Sequence, residues 1–276
     1  LLEAADAKLS LADWLAGRGY GEAFVNRHLL PMGAAIWSTD PRAMMDFPAR
    51  FFVGFLQNHG MLSVNQRPTW RVIQGGSARY VEKLTHPFRN RIRLNCPVEW
   101  VRRFPGGVLV KSLARDAERF DAVFLACHSD QALRLLTDPS ALESKVLSAI
   151  PYQENQAVLH TDTRMLPRKR LAWAAWNYHK SGRAGQRVAL TYNMNILQGL
   201  NAPEPFLVTL NRDDEIDPVK VIRRIVYHHP LFTPAGVAAQ ARQTELNRGR
   251  NTYFCGAYWS NGFHEDGVAS ALEALK

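Results

Sequence analysis

The sequence has 276 residues and a mass of 31.2 kDa, with 46% hydrophobic and 21% charged residues, which is the composition of a globular protein with one or two domains. The net charge is +9, but the basic residues are scattered and no nucleic-acid-binding motif accompanies them, so we expect no nucleic-acid partner. The sequence has no apolar run long enough to span a membrane and no signal peptide. Cys96, Cys127 and Cys255 are widely spaced, which indicates reduced thiols and no metal site. We therefore expect a cytoplasmic protein.

The first 60 or so residues are predicted to be helical. Ser10 can cap a short amphipathic helix, a second helical pattern runs until Pro31, and Asp40 with Pro41 forms a turn that opens a further helix. The segment that follows is rich in Phe and Met. We favour core packing for these side chains, and the alternative is a pocket for an apolar substrate lined by Met44, Met45, Phe51, Phe52 and Phe55.

From residue 69 the pattern changes to short strands and glycine turns. Residues 69–84 predict a strand, a Gly-Gly turn and a helix, and residues 91–104 and 106–113 predict two further strands. Residues 120–127 form a nearly continuous apolar run, which is typical of a parallel strand buried on both faces. A helix capped by His128, Ser129 and Asp130 is predicted to follow it and to end before Pro139.

Four antiparallel strands are predicted within residues 155–211, with a turn near residues 182–185. Residues 217–232 are predicted as a helix that ends near Pro230, and His228 and His229 are interpreted as surface or cap residues rather than a metal pair. The aromatic side chains alternate along the sheet and give it one large apolar face, formed by Trp173, Trp176, Tyr178 and Tyr192.

The last 26 residues predict a strand, a glycine-containing turn and a helix. Glu265 and Asp266 lie at the predicted helix start, where acidic side chains suit the positive end of the helix dipole. The same strand, glycine turn and helix order occurs at Gly75, Gly76 and Ser77. Backbone N–H groups at such a helix start can hold anions or polarised oxygens, although a purely structural turn is the alternative.

The C-terminal segment closely resembles the final FAD-binding motif of the flavin-containing amine oxidoreductase superfamily, which includes monoamine oxidases, protoporphyrinogen oxidases and carotenoid desaturases. The string GFHEDGV is similar to a bacterial branch of predicted NAD/FAD-binding proteins. The resemblance implies that FAD is the cofactor. It implies cofactor contacts at Gly256, Ala257, Gly262, Phe263, His264, Glu265, Asp266, Gly267 and Val268.

Weaker similarities occur in the order that the superfamily has. They imply that Gly75, Gly76 and Ser77 lie near the flavin and that the backbone of Val98 meets the adenine. Backbone N–H groups around Gly267 and Val268 would stabilise the reduced flavin. The candidates for the substrate side of the flavin are Trp70, Tyr258 and Trp259, and the two last residues can equally pack the loop.

Two departures from the superfamily pattern are present. Many amine oxidases have Gly-Glu at the end of the last strand, where this sequence has Gly256 and Ala257. No GxGxxG motif follows a strand, and in the superfamily that motif precedes the point that Leu1 matches. We therefore expect the C-terminal part of such an oxidoreductase, in which the main pyrophosphate-binding loop is missing.

The fold class expected is mixed α/β (α+β), with an incomplete Rossmann-like FAD-binding domain and a substrate domain built from an antiparallel or mixed sheet and helices. Residues 1–69 and 146–245 are assigned to the substrate domain, and residues 70–145 and 246–276 to the FAD-binding domain. An open sheet edge in such a domain could be covered by a homodimer partner.

The activity that the resemblance implies is hydride transfer to FAD from a C–N or C–C unit of a small hydrophobic substrate, with no catalytic acid or base assigned. The alternative is a non-catalytic binding or scaffold protein that keeps the fold without the cofactor. A peripheral contact with an anionic membrane, through basic residues and exposed Phe side chains, is compatible with either function.

Overall fold

The computed structural model describes residues 9–63, 65, 68–180 and 188–276, so the turn predicted near residues 182–185 lies outside the described residues. The chain forms two compact units. The first unit comprises Leu1–Asn90 and Gln153–His229, and the second unit comprises Arg91–Tyr152 and Pro230–Lys276.

Helices and strands alternate irregularly along the chain. The helices are α1 (Leu11–Ala16), α2 (Glu22–Phe24), α3 (Leu30–Trp37), α4 (Pro41–Met44), α5 (Ala49–Asn58), α6 (Ala78–Thr85), α7 (Ser129–Leu135), α8 (Ala141–Leu147), α9 (Met194–Gln198), α10 (Pro234–Gln240), α11 (Gln243–Leu246) and α12 (His264–Ala274). The strands are β1 (Val98–Phe104), β2 (Gly107–Ser112), β3 (Arg115–Phe120), β4 (Val123–Leu125), β5 (Tyr152–His160), β6 (Trp176–His179), β7 (Ala189–Asn193), β8 (Leu207–Leu210), β9 (Val221–Pro230) and β10 (Thr252–Phe254).

The first helices begin at the residues that the sequence predicts. The Ser10 side chain accepts a hydrogen bond from the Asp13 backbone N–H at 3.1 Å, and the Asp40 side chain accepts one from the Arg42 backbone N–H at 2.7 Å. The helix expected to stop at Pro31 instead continues from α2 through a π-helix, Val25–Leu29, into α3. Pro31 is tolerated because it lies in the first turn of α3, after the change from π- to α-helical hydrogen bonding.

The Phe- and Met-rich segment packs as core. Met44, Phe52 and Phe55 are fully buried, whereas Met45 and Phe51 are half-buried. The Trp37 ring lies 4.8 Å from the Phe55 ring and 5.8 Å from the Phe52 ring, centroid to centroid. These contacts support the core interpretation of the segment rather than a substrate pocket formed by all five side chains.

The first unit contains a five-stranded sheet with the order β6-β7-β8-β5-β9. Strands β6, β7, β8 and β5 pair antiparallel with their neighbours, as the sequence predicts. These four strands are the antiparallel strands that the sequence predicts within residues 155–211. The edge strand β6 pairs Trp176 opposite Tyr192, and the two rings meet edge to face at 5.5 Å.

A row of polar side chains crosses one face of this sheet. The Asp162 backbone N–H donates to His160 Nδ1 at 3.0 Å, so Nε2 carries the proton and donates to Thr209 Oγ1 at 2.7 Å. The Thr209 and Thr191 hydroxyls are 2.8 Å apart, and Thr191 Oγ1 lies 3.0 Å from His179 Nε2. Burial lowers the pKa of His160 and of His179 to about 4, so both rings are neutral near pH 7.

Residues 217–232 were predicted as a helix, and this prediction is wrong. Only Pro218–Lys220 forms a single 3₁₀ turn, capped by the Asp217 side chain, and the chain then continues as β9 beside β5. The β-branched residues Val221, Ile222, Ile225 and Val226 suit a strand. His228 and His229 therefore lie on a strand, where His229 Nδ1 is 2.9 Å from Asn155 Nδ2.

The second unit contains two small sheets. Strands β1, β2 and β3 form an antiparallel meander, in which β3 was not predicted because its sequence RDAERF is polar. Strands β4 and β10 pair in parallel, as expected for a Rossmann-like domain. The prediction that the β4 strand is buried on both faces is wrong, because Phe124 is 43% exposed and only Leu125 is fully buried.

The mixed α/β fold predicted from the sequence is confirmed. The compact units divide the chain differently from the four predicted segments, since residues 70–90 group with the first unit and residues 230–245 with the second. The assignment of those segments to cofactor and substrate domains stays a prediction.

Candidate functional site

The clearest candidate for a cofactor-binding element is the β10–turn–α12 segment of the second unit. Gly256 follows β10 directly and has φ 152°, and a Cβ at this position would lie 2.6 Å from Tyr258 Cε1. Glycine is therefore required at the strand end, both for the backbone conformation and for the space beside the Tyr258 ring. A 3₁₀ turn, Ala257–Trp259, then leads into the loop before α12.

Ser270 fastens this turn to α12. Its buried hydroxyl accepts a hydrogen bond from the Gly256 backbone N–H at 2.8 Å and donates one to the Gly267 carbonyl at 2.8 Å. Sequence reasoning did not identify Ser270. A serine one helical turn beyond Gly267 has no signature of its own until the strand end and the helix are placed side by side.

Three amide side chains from α10, α11 and the residue after α11 hold the same segment from the other side. Gln240 Nε2 donates to the carbonyls of Tyr258 and Ser260 at 2.9 and 2.6 Å. Gln243 Nε2 donates to the carbonyls of Phe254 and Ser270 at 3.2 and 2.9 Å. Asn247 Oδ1 accepts from the Phe254 N–H at 2.8 Å. The spacing of three and four residues, which places such amides on one helical face, is the signal that could have found them.

The start of α12 differs in detail from the expectation. The Gly267 backbone N–H already donates to the Phe263 carbonyl at 3.2 Å. The prediction that N–H groups around Gly267 and Val268 face a cofactor is therefore wrong for Gly267, because α12 begins at His264 and Gly267 lies in its first closed turn. Only the first turn, at His264, Glu265 and Asp266, can present backbone N–H groups outward.

The loop before α12 is also ordered by local bonds. The Gly262 N–H donates to the Ala257 carbonyl at 3.1 Å, and Gly262 has φ 95°, so glycine is favoured there. Asp266 Oδ2 accepts from the Phe263 N–H at 2.8 Å. Because Glu265 and Asp266 are both acidic, this helix start suits a polarised neutral oxygen better than a phosphate.

Tyr258 and Trp259 were candidates for the substrate side, and the structure supports the alternative that they pack the loop. Their side chains are 3% and 6% exposed and belong to the hydrophobic core of the second unit. Burial raises the pKa of Tyr258 well above its usual value. Apart from each other, the Tyr258 hydroxyl and the Trp259 Nε1 have no hydrogen-bond partner among the described residues.

The predicted Gly-Gly turn lies in the first unit. Gly75 and Gly76 have φ 78° and 85°, and the Gly76 N–H donates to the Ile73 carbonyl at 2.9 Å. Helix α6 follows after Ser77, as predicted. The short strand predicted before the turn is absent, because residues 68–73 find no neighbouring strand within the described residues, and Trp70 is 70% exposed.

Val98 begins β1 in the second unit and pairs opposite Ser112. Its side chain is partly exposed, and β1 has an irregularity between Val98 and Trp100. The contact of the Val98 backbone with an adenine, and the cofactor contacts expected at the other predicted residues, stay predictions.

The described residues contain no group of three or more His, Cys, Asp or Glu side chains that could hold a metal ion. Burial raises the pKa of the Cys127 and Cys255 thiols. Neither cysteine is therefore activated as a thiolate nucleophile. The same part of the chain has no helix long and apolar enough to cross a membrane.

Comparison with known proteins decides the family. A sequence profile described as flavin containing amine oxidoreductase matches residues 3–170, which is more than half of the chain. The chain belongs to this family. The cofactor of the family is FAD, and its members are oxidoreductases. No match was found among curated protein sequences.

Solved structures share the fold. Cyclohexylamine oxidase from Brevibacterium oxydans IH-35A superimposes with a TM-score of 0.63 at 14% identity, covering 99% of this chain and 68% of its own. A protein provisionally named protoporphyrinogen oxidase, from Exiguobacterium sp. 255-15, gives 0.64 at 18% identity, covering 97% and 67%. A CLA-producing fatty acid isomerase from P. acnes gives 0.66 at 15% identity, covering 98% and 66%. This chain thus spans about two thirds of the length of these structures.

One feature of the β10–α12 segment fits a bound flavin. The Tyr258 hydroxyl and the Trp259 Nε1 do not contribute to it, because both are buried in the hydrophobic core of the second unit. The first turn of α12 offers N–H groups to a polarised oxygen. Ala257 replaces the glutamate that many amine oxidases have, so this chain supplies no carboxylate at that point.

Proposed function

We propose that this protein transfers hydride from a C–H bond of a hydrophobic substrate to FAD, so that the adjoining C–N or C–C single bond becomes a double bond and a proton is released to solvent. The observation that carries the proposal is the β10–turn–α12 segment, in which a required glycine and the serine and amide hydrogen bonds fix a helix start whose first-turn N–H groups have no partner within the helix. Bound FAD supplies the hydride acceptor.

The residues of this chain fix the position of the turn that would face the cofactor. Ser270, Gln240 and Gln243 hold the turn rigid, so that the first-turn N–H groups of α12 keep a fixed direction. Fixed N–H dipoles aimed at a flavin oxygen would favour the anionic reduced state, because they need no reorganisation when charge develops. No side chain is assigned as catalytic acid or base.

A hydrophobic substrate is supported by two features. The sheet of the first unit carries Trp176, Tyr178 and Tyr192 on one face, and these aromatic side chains suit apolar contact. One protein of the same fold is a fatty acid isomerase. A second protein of this fold is named for protoporphyrinogen and a third for cyclohexylamine. A small amine is therefore the competing substrate class.

Anaerobic reduction tests the proposal. FAD-loaded protein is mixed with a long-chain unsaturated fatty acid, a porphyrinogen, cyclohexylamine or putrescine, and loss of the visible flavin absorbance is followed. We expect bleaching with an apolar compound and none with the two amines. Bleaching by the amines alone would contradict the substrate class, and failure to load FAD would favour the cofactor-free scaffold.

A further inference from the structure

A long stretch of the sequence carries positive charge without any acidic residue. From Thr163 to Pro203 there are seven Lys and Arg and no Asp or Glu. Three of the cations, Arg168, Lys169 and Arg170, are consecutive and exposed, and none makes an ion pair with a residue in the described part of the chain. Their charge is therefore not neutralised locally, unlike that of Arg93, which pairs with Glu118.

These cations stand on a structured loop rather than a loose one. The Trp173 Nε1 donates to the Pro167 carbonyl at 2.8 Å and closes the loop. Within it, a 3₁₀ turn is formed by the Ala172 N–H donating to the Lys169 carbonyl at 2.9 Å. The Arg170 guanidinium lies 5.6 Å from the Trp173 ring centroid. We name residues 168–171 the basic loop.

The last residue of the basic loop is a fully exposed leucine. Leu171 is 104% exposed, so its side chain makes no protective contact with the rest of the protein. In the same unit, the turn after Asp217 presents Val219, which is also almost fully exposed; the Asp217 N–H donates to Asp162 Oδ2 at 2.9 Å. An exposed leucine beside unpaired cations is the composition of surfaces that bind anionic bilayers.

A cavity of about 510 Å³ lies beside the loop and is lined by Arg164, Arg168, Trp176, His179 and Arg212, among others. Arg164 binds Asp162 through Nε and Nη2, and Arg212 binds Glu215 through the same two nitrogens. Among the described residues neither Nη1 has a partner, so each can donate to an anionic headgroup.

We propose that the basic loop binds the anionic surface of a phospholipid bilayer. Arg168, Lys169 and Arg170 contact lipid phosphates, Leu171 inserts at the level of the first acyl carbons, and the adjacent cavity takes a headgroup. Nucleic acid would satisfy the cations equally well, but it offers no apolar environment to Leu171, and this decides for the bilayer.

Vesicle co-sedimentation tests the proposal on the whole chain. Vesicles of phosphatidylcholine alone are compared with vesicles that contain about one quarter phosphatidylglycerol, at salt concentrations from about 0.05 to 0.5 M. We expect binding to the anionic vesicles only, weakening as salt rises. Replacing all three cations (Arg168→Glu, Lys169→Glu and Arg170→Glu) should weaken binding on the order of 100-fold. Leu171→Ser should weaken it about fivefold while the salt dependence is unchanged.

A second triple variant with the same charge change serves as control: Arg27→Glu, Arg50→Glu and Lys145→Glu, which are exposed residues outside the basic loop. It should bind anionic vesicles within about threefold of the unaltered protein. Circular dichroism melts check that all variants fold. Equal loss in both triple variants, no binding to anionic vesicles, or tighter binding to a single-stranded oligonucleotide that Leu171→Ser leaves unchanged would each overturn the proposal.

Discussion

Gly256 is the residue whose replacement most directly disturbs the strand-end turn. In Gly256→Ala the new Cβ would lie 2.6 Å from the Tyr258 ring at a backbone φ of 152°, so the turn or the ring must move. We expect a loss of about 2–4 kcal/mol in the free energy of unfolding, measured by urea denaturation.

Gly267→Ala is the matched control. Gly267 lies inside α12, and a Cβ there would meet only the Ala257 nitrogen at 3.8 Å, an ordinary contact. This variant should be neutral or more stable by up to about 1 kcal/mol. Similar losses for both glycines would show that the strand-end geometry is not special.

Thr209 tests the buried polar row of the first unit. Thr209→Val removes the acceptor of the His160 Nε2–H and leaves this donor buried without a partner. The expected cost is about 1–3 kcal/mol of unfolding free energy. Thr163→Val, at an exposed threonine nearby in sequence, should stay within about 0.5 kcal/mol. A neutral Thr209→Val would show that His160 donates elsewhere.

His160 also predicts how stability depends on pH. Its pKa falls from an ordinary 6.5 to about 4 in the folded protein, because burial disfavours the charged ring. Between these values the unfolded chain binds a proton that the folded chain does not, so stability falls as pH drops from 6.5 to 4. His179 acts in the same direction.

The contribution of His160 is on the order of 3 kcal/mol once the pH is below 4. Urea midpoints at about pH 7.5, 6 and 5 measure the effect in the upper part of this window. The midpoint should decline steadily, and the decline should be smaller in His160→Gln, which has no titrating ring. A midpoint that is flat across the range in the unaltered protein would contradict the burial of neutral histidines.

At the scale of elements, the amide bonds from α10 and α11 should control the order of β10 and its turn. Gln243→Leu leaves the carbonyls of Phe254 and Ser270 without their side-chain donor. We expect faster backbone hydrogen exchange across residues 252–260 and weaker FAD binding by about tenfold. The neighbouring exposed Thr244→Ala should change neither. Unchanged exchange in Gln243→Leu would remove these amides from the account of the site.

Local signals predicted elements wherever the stabilising bond is local. Ser10 and Asp40 cap their helices through bonds that span two or three residues, and the order of β10 and α12 follows from glycine and alternation. The same logic failed at residues 217–232. Asp217 and Pro218 are a sound helix start, but pairing of β9 with β5, a long-range effect, decides the outcome.

Prediction of the site from the sequence is likewise limited to features that local sequence determines. Gly256 and Gly262 could be named through the resemblance to the superfamily, and the structure explains them by positive φ angles of 152° and 95°. Ser270 could not be named, because its backbone partner is brought near only in the folded chain. The spacing of Gln240 and Gln243 indicates a shared helical face, but their backbone partners also become neighbours only on folding. The hydrogen bonding at the helix start also mattered, since the Gly267 N–H donates to the Phe263 carbonyl and is not available to a cofactor.

At the scale of the whole molecule, the family membership and the fold point to a flavoprotein, whereas about one third of the length of similar structures has no counterpart in this sequence. A homodimer and the cytoplasmic location stay predictions. If the basic loop binds bilayers, the protein would work beside a lipid phase, which is where a hydrophobic substrate is most concentrated.

The most direct measurement is the absorbance spectrum of the protein after gel filtration. It is recorded for protein as purified and for protein incubated with FAD, both for this chain and for the longest product of its gene that contains it. We expect flavin bands that coelute at one FAD per chain for the longest product. Retention should be weaker in His264→Asp, because this change adds negative charge at the start of α12. A protein that stays colourless in every form, even with added FAD, would contradict the oxidoreductase function and leave a cofactor-free scaffold.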